Sequence, residues 1–138
     1  MEGDEPIIII EDDADDQEII KLICDDIGIC NSLVFFSEGN EALNYLRSSE
    51  KKPFLILCDI NMPHMNGLAL REEINRDEAL RKKSIPFIFF STAASDTQIA
   101  KAYDMTVQGF FLKENTLKET ADTLDLIFKY WRKCKHPK

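Results

Sequence analysis

Four short apolar runs in this chain are each followed at once by side chains able to do polar chemistry. Residues 7–10 give way to Glu11 and Asp12, residues 54–58 to Asp59, residues 87–90 to Ser91 and Thr92, and residues 110–112 to Lys113. If the ends of these runs meet, three carboxylates, a hydroxyl and an ammonium share one place. Three carboxylates close together repel unless a proton or a cation intervenes. Lys113 supplies one positive charge, which leaves the cluster net negative. Mg²⁺ suits what remains, because it is hard, prefers oxygen, and usually takes one or two protein carboxylates plus waters and phosphate oxygens. A carboxylate beside such an ion can act as a nucleophile on phosphorus and give an acyl phosphate. Catalysis of that kind is mostly positioning and charge neutralisation. Mg²⁺ and Lys113 would neutralise the oxygens of the transferred group, and Ser91 would donate a hydrogen bond to one of them.

Bringing those ends together is the work of the elements between them. With residues 33–36 the apolar runs number five, each short and rich in β-branched or aromatic residues. Continuous apolar runs of this length suit strands covered on both faces, as in a parallel sheet. Helical patterns separate them. Ile19, Ile20, Ile23 and Ile27 mark one helix face. Asp13, Asp15, Asp16 and Glu18 crowd its first turn, where carboxylates favour the dipole, and Gly28 can end it. Ala42, Leu43 and Leu46 give a second helix, and Leu70 and Ile74 a third. Ser95 and Gln98 read as a capping box before Ile99, Ala102 and Tyr103. Leu117, Ala121, Leu124, Ile127, Phe128 and Trp131 give a long fifth helix with Lys129, Arg132 and Lys133 near its end. The polar stretch 75–84 reads as the end of the third helix plus a surface loop. Strand and helix alternate five times, which predicts an α/β fold of right-handed βαβ units with helices on both sheet faces. The run ends then lie on one edge, where open α/β sheets bind ligands.

Bulk properties narrow the function classes. A length of 138 residues fits one domain, expected over 1–138 with its core at about 6–133 and short polar termini. Net charge is −8, from 25 acidic and 17 basic residues, which argues against a nucleic-acid-binding surface as the main role. The acidic start MEGDEP is unlike a signal peptide. No apolar run approaches the ~18 residues of a membrane span, so no membrane partner and a cytoplasmic location are expected. Cys24, Cys30, Cys58 and Cys134 form no C-x-x-C pair and have no histidine cluster beside them. They read as free thiols in a reducing compartment rather than zinc ligands, with Cys58 buried in a strand.

Taken in order, Glu11-Asp12 after IIII, the stretch DINMPHMNG from Asp59 to Gly67, Ser91, Phe110 and Lys113 resemble the receiver domain of bacterial two-component response regulators. The resemblance, closest to stand-alone, chemotaxis-regulator-like receivers, covers essentially the whole chain. It implies a flavodoxin-like, doubly wound, five-stranded parallel sheet of order 2-1-3-4-5 with five helices. It implies that Asp59 is the phosphoacceptor. Glu11, Asp12 and Asp59 would hold Mg²⁺, Asp12 more directly than Glu11, and Asn61 would add its backbone carbonyl. Ser91, five residues after Pro86 and 22 before Lys113, matches the family's hydroxyl. Lys113 matches the phosphate-pairing lysine, and Ser91 with Phe110 forms the switch. Phe110 also reads as plain core.

The implied donor is a histidine kinase or histidine phosphotransfer protein, in a two-component system or phosphorelay. The implied recipient of the signal is a downstream protein, and a homodimer is a further form the output could take. No enzyme activity is expected beyond self-catalysed phosphoryl transfer onto Asp59 and slow autodephosphorylation. Glu114 follows Lys113 where receivers usually carry proline, and Glu11 stands where an aspartate is more frequent. A phosphorylation-independent, receiver-like protein-binding module is the alternative that the missing proline keeps open. A Mg²⁺-dependent phosphatase with an aspartyl intermediate would need a general acid two residues after Asp59, a place held by Asn61, and a cap domain.

Overall fold

The computed structural model describes residues 5–84 and 86–136, so residues 1–4 of the acidic start lie outside it. Five strands, β1 (Ile7–Ile10), β2 (Leu33–Phe36), β3 (Leu55–Cys58), β4 (Phe87–Ser91) and β5 (Gly109–Leu112), pair in parallel in the order β2-β1-β3-β4-β5. The helices are α1 (Ala14–Asp26), α2 (Gly39–Ser48), α3 (Gly67–Asn75), α4 (Glu78–Lys83), α5 (Asp96–Asp104) and α6 (Leu117–Lys133). This is the doubly wound, flavodoxin-like sheet expected.

Side chains alternate along a strand, and here both faces are covered. Ile8, Ile10, Ile56, Cys58, Phe87 and Phe89 pack with Leu43 and Leu46 of α2, Leu70 and Ile74 of α3, Leu80 of α4 and Ala102 of α5. Ile7, Ile9, Leu55, Leu57, Ile88 and Phe90 pack with Ile20, Ile23 and Cys24 of α1 and Leu124, Ile127 and Phe128 of α6. Apart from Ser91 at the end of β4, the central strands are therefore apolar at every position. A buried aliphatic or aromatic side chain contributes about 1.5–3 kcal/mol, so the sheet is a rigid base for whatever its edge carries.

The helices begin where side chains satisfy their first amides. Asp13 accepts from the amides of Asp15 and Asp16 ahead of α1, Asn66 accepts from Ala69 ahead of α3, and Ser95 and Gln98 complete the capping box of α5. Each such cap contributes about 1 kcal/mol. Gly28, at φ +79°, follows the end of α1 as expected.

The segment 75–84 departs from the expected loop and makes six helices rather than five. Asp77 caps the amides of Ala79 and Leu80, and Arg81, Lys82 and Lys83 fill the last turn of α4. Six residues are too few to show a period, and helices this short are marginal alone. Docking holds α4 in place. Leu80 is buried, and the Lys83 ammonium donates to the carbonyls of Leu46 and Ser49 at the end of α2.

One buried cation ties two helices together. Arg71 of α3 is 1% exposed; its Nε donates to the Met105 carbonyl and its Nη2 to the Thr106 carbonyl, each at 3.2 Å. Its guanidinium lies 5.0 Å from the Phe87 ring centroid. Burial, with Arg81 nearby, pushes Arg71 down to about 10. Asn75 Nδ2 also donates to Met105, at 3.0 Å. Among the described residues, no helix is long and apolar enough to cross a membrane.

Candidate functional site

The sheet's hydrogen-bond ladder runs one step past three of its strands, and that step carries the polar residues. The amide of Glu11 donates to Phe36 at 2.9 Å, that of Asp59 to Ile10 at 2.9 Å, and that of Lys113 to Ser91 at 2.7 Å. Ser91 is the last residue of β4, paired with Leu112. Four separated segments thus reach one edge with their main chains fixed by neighbouring strands.

Carboxylate oxygens of Glu11, Asp12 and Asp59 all lie within 4.8 Å of one another. Glu11 and Asp59 are buried, and Asp12 is exposed. Both oxygens of Glu11 accept hydrogen bonds: Oε2 from the Asp13 amide at 3.1 Å, and Oε1 from the Lys113 ammonium. Burial pushes the Glu11 carboxyl up to about 7, against the opposing pull of Lys113. Gln17 Nε2 donates to the Glu11 carbonyl at 2.5 Å and fixes the turn into α1. Three hard oxygen donors with net negative charge fit a hard divalent cation such as Mg²⁺.

The geometry separates the two hydroxyls after residue 90. Ser91 is buried, and its Oγ donates to Asp59 Oδ1 at 2.5 Å, whereas Thr92 is exposed. The Asn61 side chain donates to the Ala93 carbonyl at 3.0 Å, bridging the segments that follow β3 and β4. Phe110 packs against the core. Half-buried, its ring centre lies 5.6 Å from that of Phe89 at a 46° tilt.

Lys113 reaches the expected edge, yet its bonds are to Glu11 and Asp16. The second is an ion pair of 2.9 Å between Nζ and Oδ2 of Asp16. Burial opposes the charge on Lys113. The hydrogen bonds to Glu11 and Asp16 and the charges of Glu11 and Asp59 outweigh it, and its pKa is raised. In the sequence Asp16 is only one of the dipole-favouring acids of α1. Nothing in its spacing, 97 residues from Lys113, signals this contact.

Gly67 seats α3 against Asp59. A Cβ there would lie 2.3 Å from the Asp59 carbonyl oxygen and 2.8 Å from the Phe89 ring. The Gly67 amide donates to the Ile60 carbonyl at 2.8 Å, which closes the loop of residues 61–66. His64, at φ +66°, turns that loop and lies 3.7 Å from Glu38.

Residues 7–125 match the family described as the response regulator receiver domain. The chain is 31% identical over 124 residues to the chemotaxis protein CheY-3 of Vibrio cholerae serotype O1, covering 89% of this chain and 91% of that protein. Its fold is similar to that of the phosphorylated cyanobacterial phytochrome response regulator RcpA, with a TM-score of 0.88 and 26% identity over 98% and 99% of the two chains. It is also similar to the Mn²⁺-bound form of response regulator Rcp1, with a TM-score of 0.85 and 23% identity over 97% and 99%.

Proposed function

Since the chain belongs to the response regulator receiver domain family, we propose that it is a phosphoacceptor switch in which Asp59 takes the phosphoryl group. One observation carries this reading: buried Asp59 sits within 4.8 Å of two further carboxylates and accepts a hydrogen bond from buried Ser91. A lone buried carboxylate would need only a proton. A cluster of three, with a hydroxyl and an ammonium at its rim, is arranged for a doubly charged partner and an incoming anion.

Asp12, Asp59 and Glu11 would hold Mg²⁺, with the Asn61 carbonyl as a further ligand. When bound, the ion neutralises the oxygens of the transferred group. A carboxylate oxygen of Asp59 attacks phosphorus. The P–N bond of a phosphohistidine donor breaks, and its electron pair stays with the imidazole. Ser91 then turns its proton from Asp59 to a phosphoryl oxygen, and Lys113 pairs with another. Phe110 follows the inward movement of the Ser91 segment, and the surface of α5, β5 and α6 changes for a partner protein. The donor is a histidine kinase or histidine phosphotransfer protein. The chain acts in the cytoplasm, where Cys24, Cys30, Cys58 and Cys134 stay free. Beyond this self-catalysed transfer and slow loss of phosphate, it turns over no substrate.

Acetyl phosphate with Mg²⁺ tests the reading. Mass spectrometry is expected to show one added phosphate on the wild type and none on Asp59→Asn. A wild type that stays unmodified overturns it, and favours the phosphorylation-independent binding module.

A further inference from the structure

We infer that Asp16 is a positioning residue that holds Lys113 away from the phosphoacceptor until a phosphoryl group arrives. The inference rests on the reading of Asp59 above. An ammonium has three N–H donors, and Glu11 and Asp16 take two of them. Asp16 is well placed to do so. The Asp13 cap fixes the first turn of α1, with Oδ1 of Asp13 accepting from the Asp16 amide at 3.1 Å. Its carboxylate then meets Lys113 from the helix side.

The two holds differ in strength. The Glu11 side chain is 3% exposed and that of Asp16 is 32% exposed. Water screens the Asp16 pair more, so it is the weaker of the two and the first to yield. A phosphoryl group on Asp59 replaces one negative charge with nearly two, which strengthens the pull on Lys113 from that side. Asp16 and Lys113 also line a cavity of about 180 Å³ with Phe90, Thr92, Glu114 and Leu117. Asp16 thereby sets how readily Lys113 is released, and so biases the chain toward its unphosphorylated form.

The test uses the full chain, beryllofluoride with Mg²⁺ as an acyl-phosphate mimic, acetyl phosphate as donor, and the nitrogen resonance of the Lys113 ammonium without ligand. Asp16→Asn is expected to bind beryllofluoride about threefold to fivefold more tightly and to phosphorylate faster by a similar factor. The Lys113 resonance should shift in the free variant and coincide with wild type once beryllofluoride is bound. Asp16→Glu should restore wild-type behaviour, and Asp16→Asn should have no effect in a Lys113→Ala background. The same gain in the Lys113→Ala background overturns the inference, because Asp16 then merely repels anions. An unshifted Lys113 resonance with unchanged affinity also overturns it, and needs only the single variant. A wild type that accepts neither phosphate nor beryllofluoride overturns the reading of Asp59 together with this one. A wild type that accepts both while Asp16→Asn changes nothing overturns this one alone.

Discussion

Ser91 donates its hydroxyl proton to Oδ1 of Asp59 across 2.5 Å, with both side chains buried. The hydroxyl rotates freely, so the donor that steadies the resting carboxylate can serve an oxygen of the group bound to it. Ser91→Ala should slow phosphorylation by acetyl phosphate by about tenfold, the worth of one hydrogen bond to a charged group. Hydrogen exchange at α5 should then no longer respond to phosphorylation. Unchanged rate and exchange would remove Ser91 from the switch.

Mutual repulsion among Glu11, Asp12 and Asp59 should be visible as stability. At ten times its dissociation constant, Mg²⁺ should stabilise the wild type by about 1.4 kcal/mol, which raises the melting temperature by roughly 3–6 °C. Asp12→Ala should melt above the wild type without Mg²⁺, because one repulsive charge is gone, and should gain little from the ion. Thermal scans with Mg²⁺ and with chelator measure both. Chelator should also block phosphorylation.

Gly67→Ala places a methyl 2.3 Å from a backbone oxygen, that of Asp59, and the strand cannot swing that oxygen aside. The ring of Phe89, 2.8 Å away, is packed in the core. The expected loss is about 1–3 kcal/mol of overpacking strain, read from urea unfolding. Wild-type stability would show that α3 can back away from Asp59.

The thiols should divide by environment. Burial, aided by Asp25, pushes Cys24 up to about 12, and burial with Asp59 and Glu11 raises Cys58 further from reaction. Cys30 is exposed and should be alkylated first by iodoacetamide, with Cys24 and Cys58 labelled only on unfolding. The same shift makes stability depend on pH. Above the ordinary thiol value of 9.0 the unfolded chain releases a proton that folded Cys24 keeps. Stability is therefore full below pH 9 and falls as pH rises toward 12, by at most about 1.4 kcal/mol per unit for each thiol. Cys24→Ala should flatten that decline.

Much of this molecule is legible in its sequence because the sheet is buried on both faces. Isoleucines at 7–10 have no polar side to show, so the run itself identifies the strand, and the first polar residue after it marks the sheet edge. Local chemistry also reads directly, as with Gly28 and the Ser95–Gln98 pair. What escapes are contacts made by residues whose type suggests water. Arginine is seldom fully buried, yet Arg71 is buried on carbonyls from residues 34 and 35 positions away. Asp16 reads as a helix-start acid and proves to be a partner of Lys113. Helix α4 buries only Leu80, too little to leave a pattern. Ile19, expected on the inner face of α1, is 37% exposed, and Cys24 takes that place.

Arg71 and Asn75 grip the same carbonyl, that of Met105, where α5 ends. The opposite end of α5 starts at Ser95, a few residues beyond Ser91. Any motion that keeps those two bonds is a rotation about Met105 rather than a slide. Displacement then grows along the helix from that pivot, so a small pull near Ser91 moves the first turn most and leaves the last turn in place.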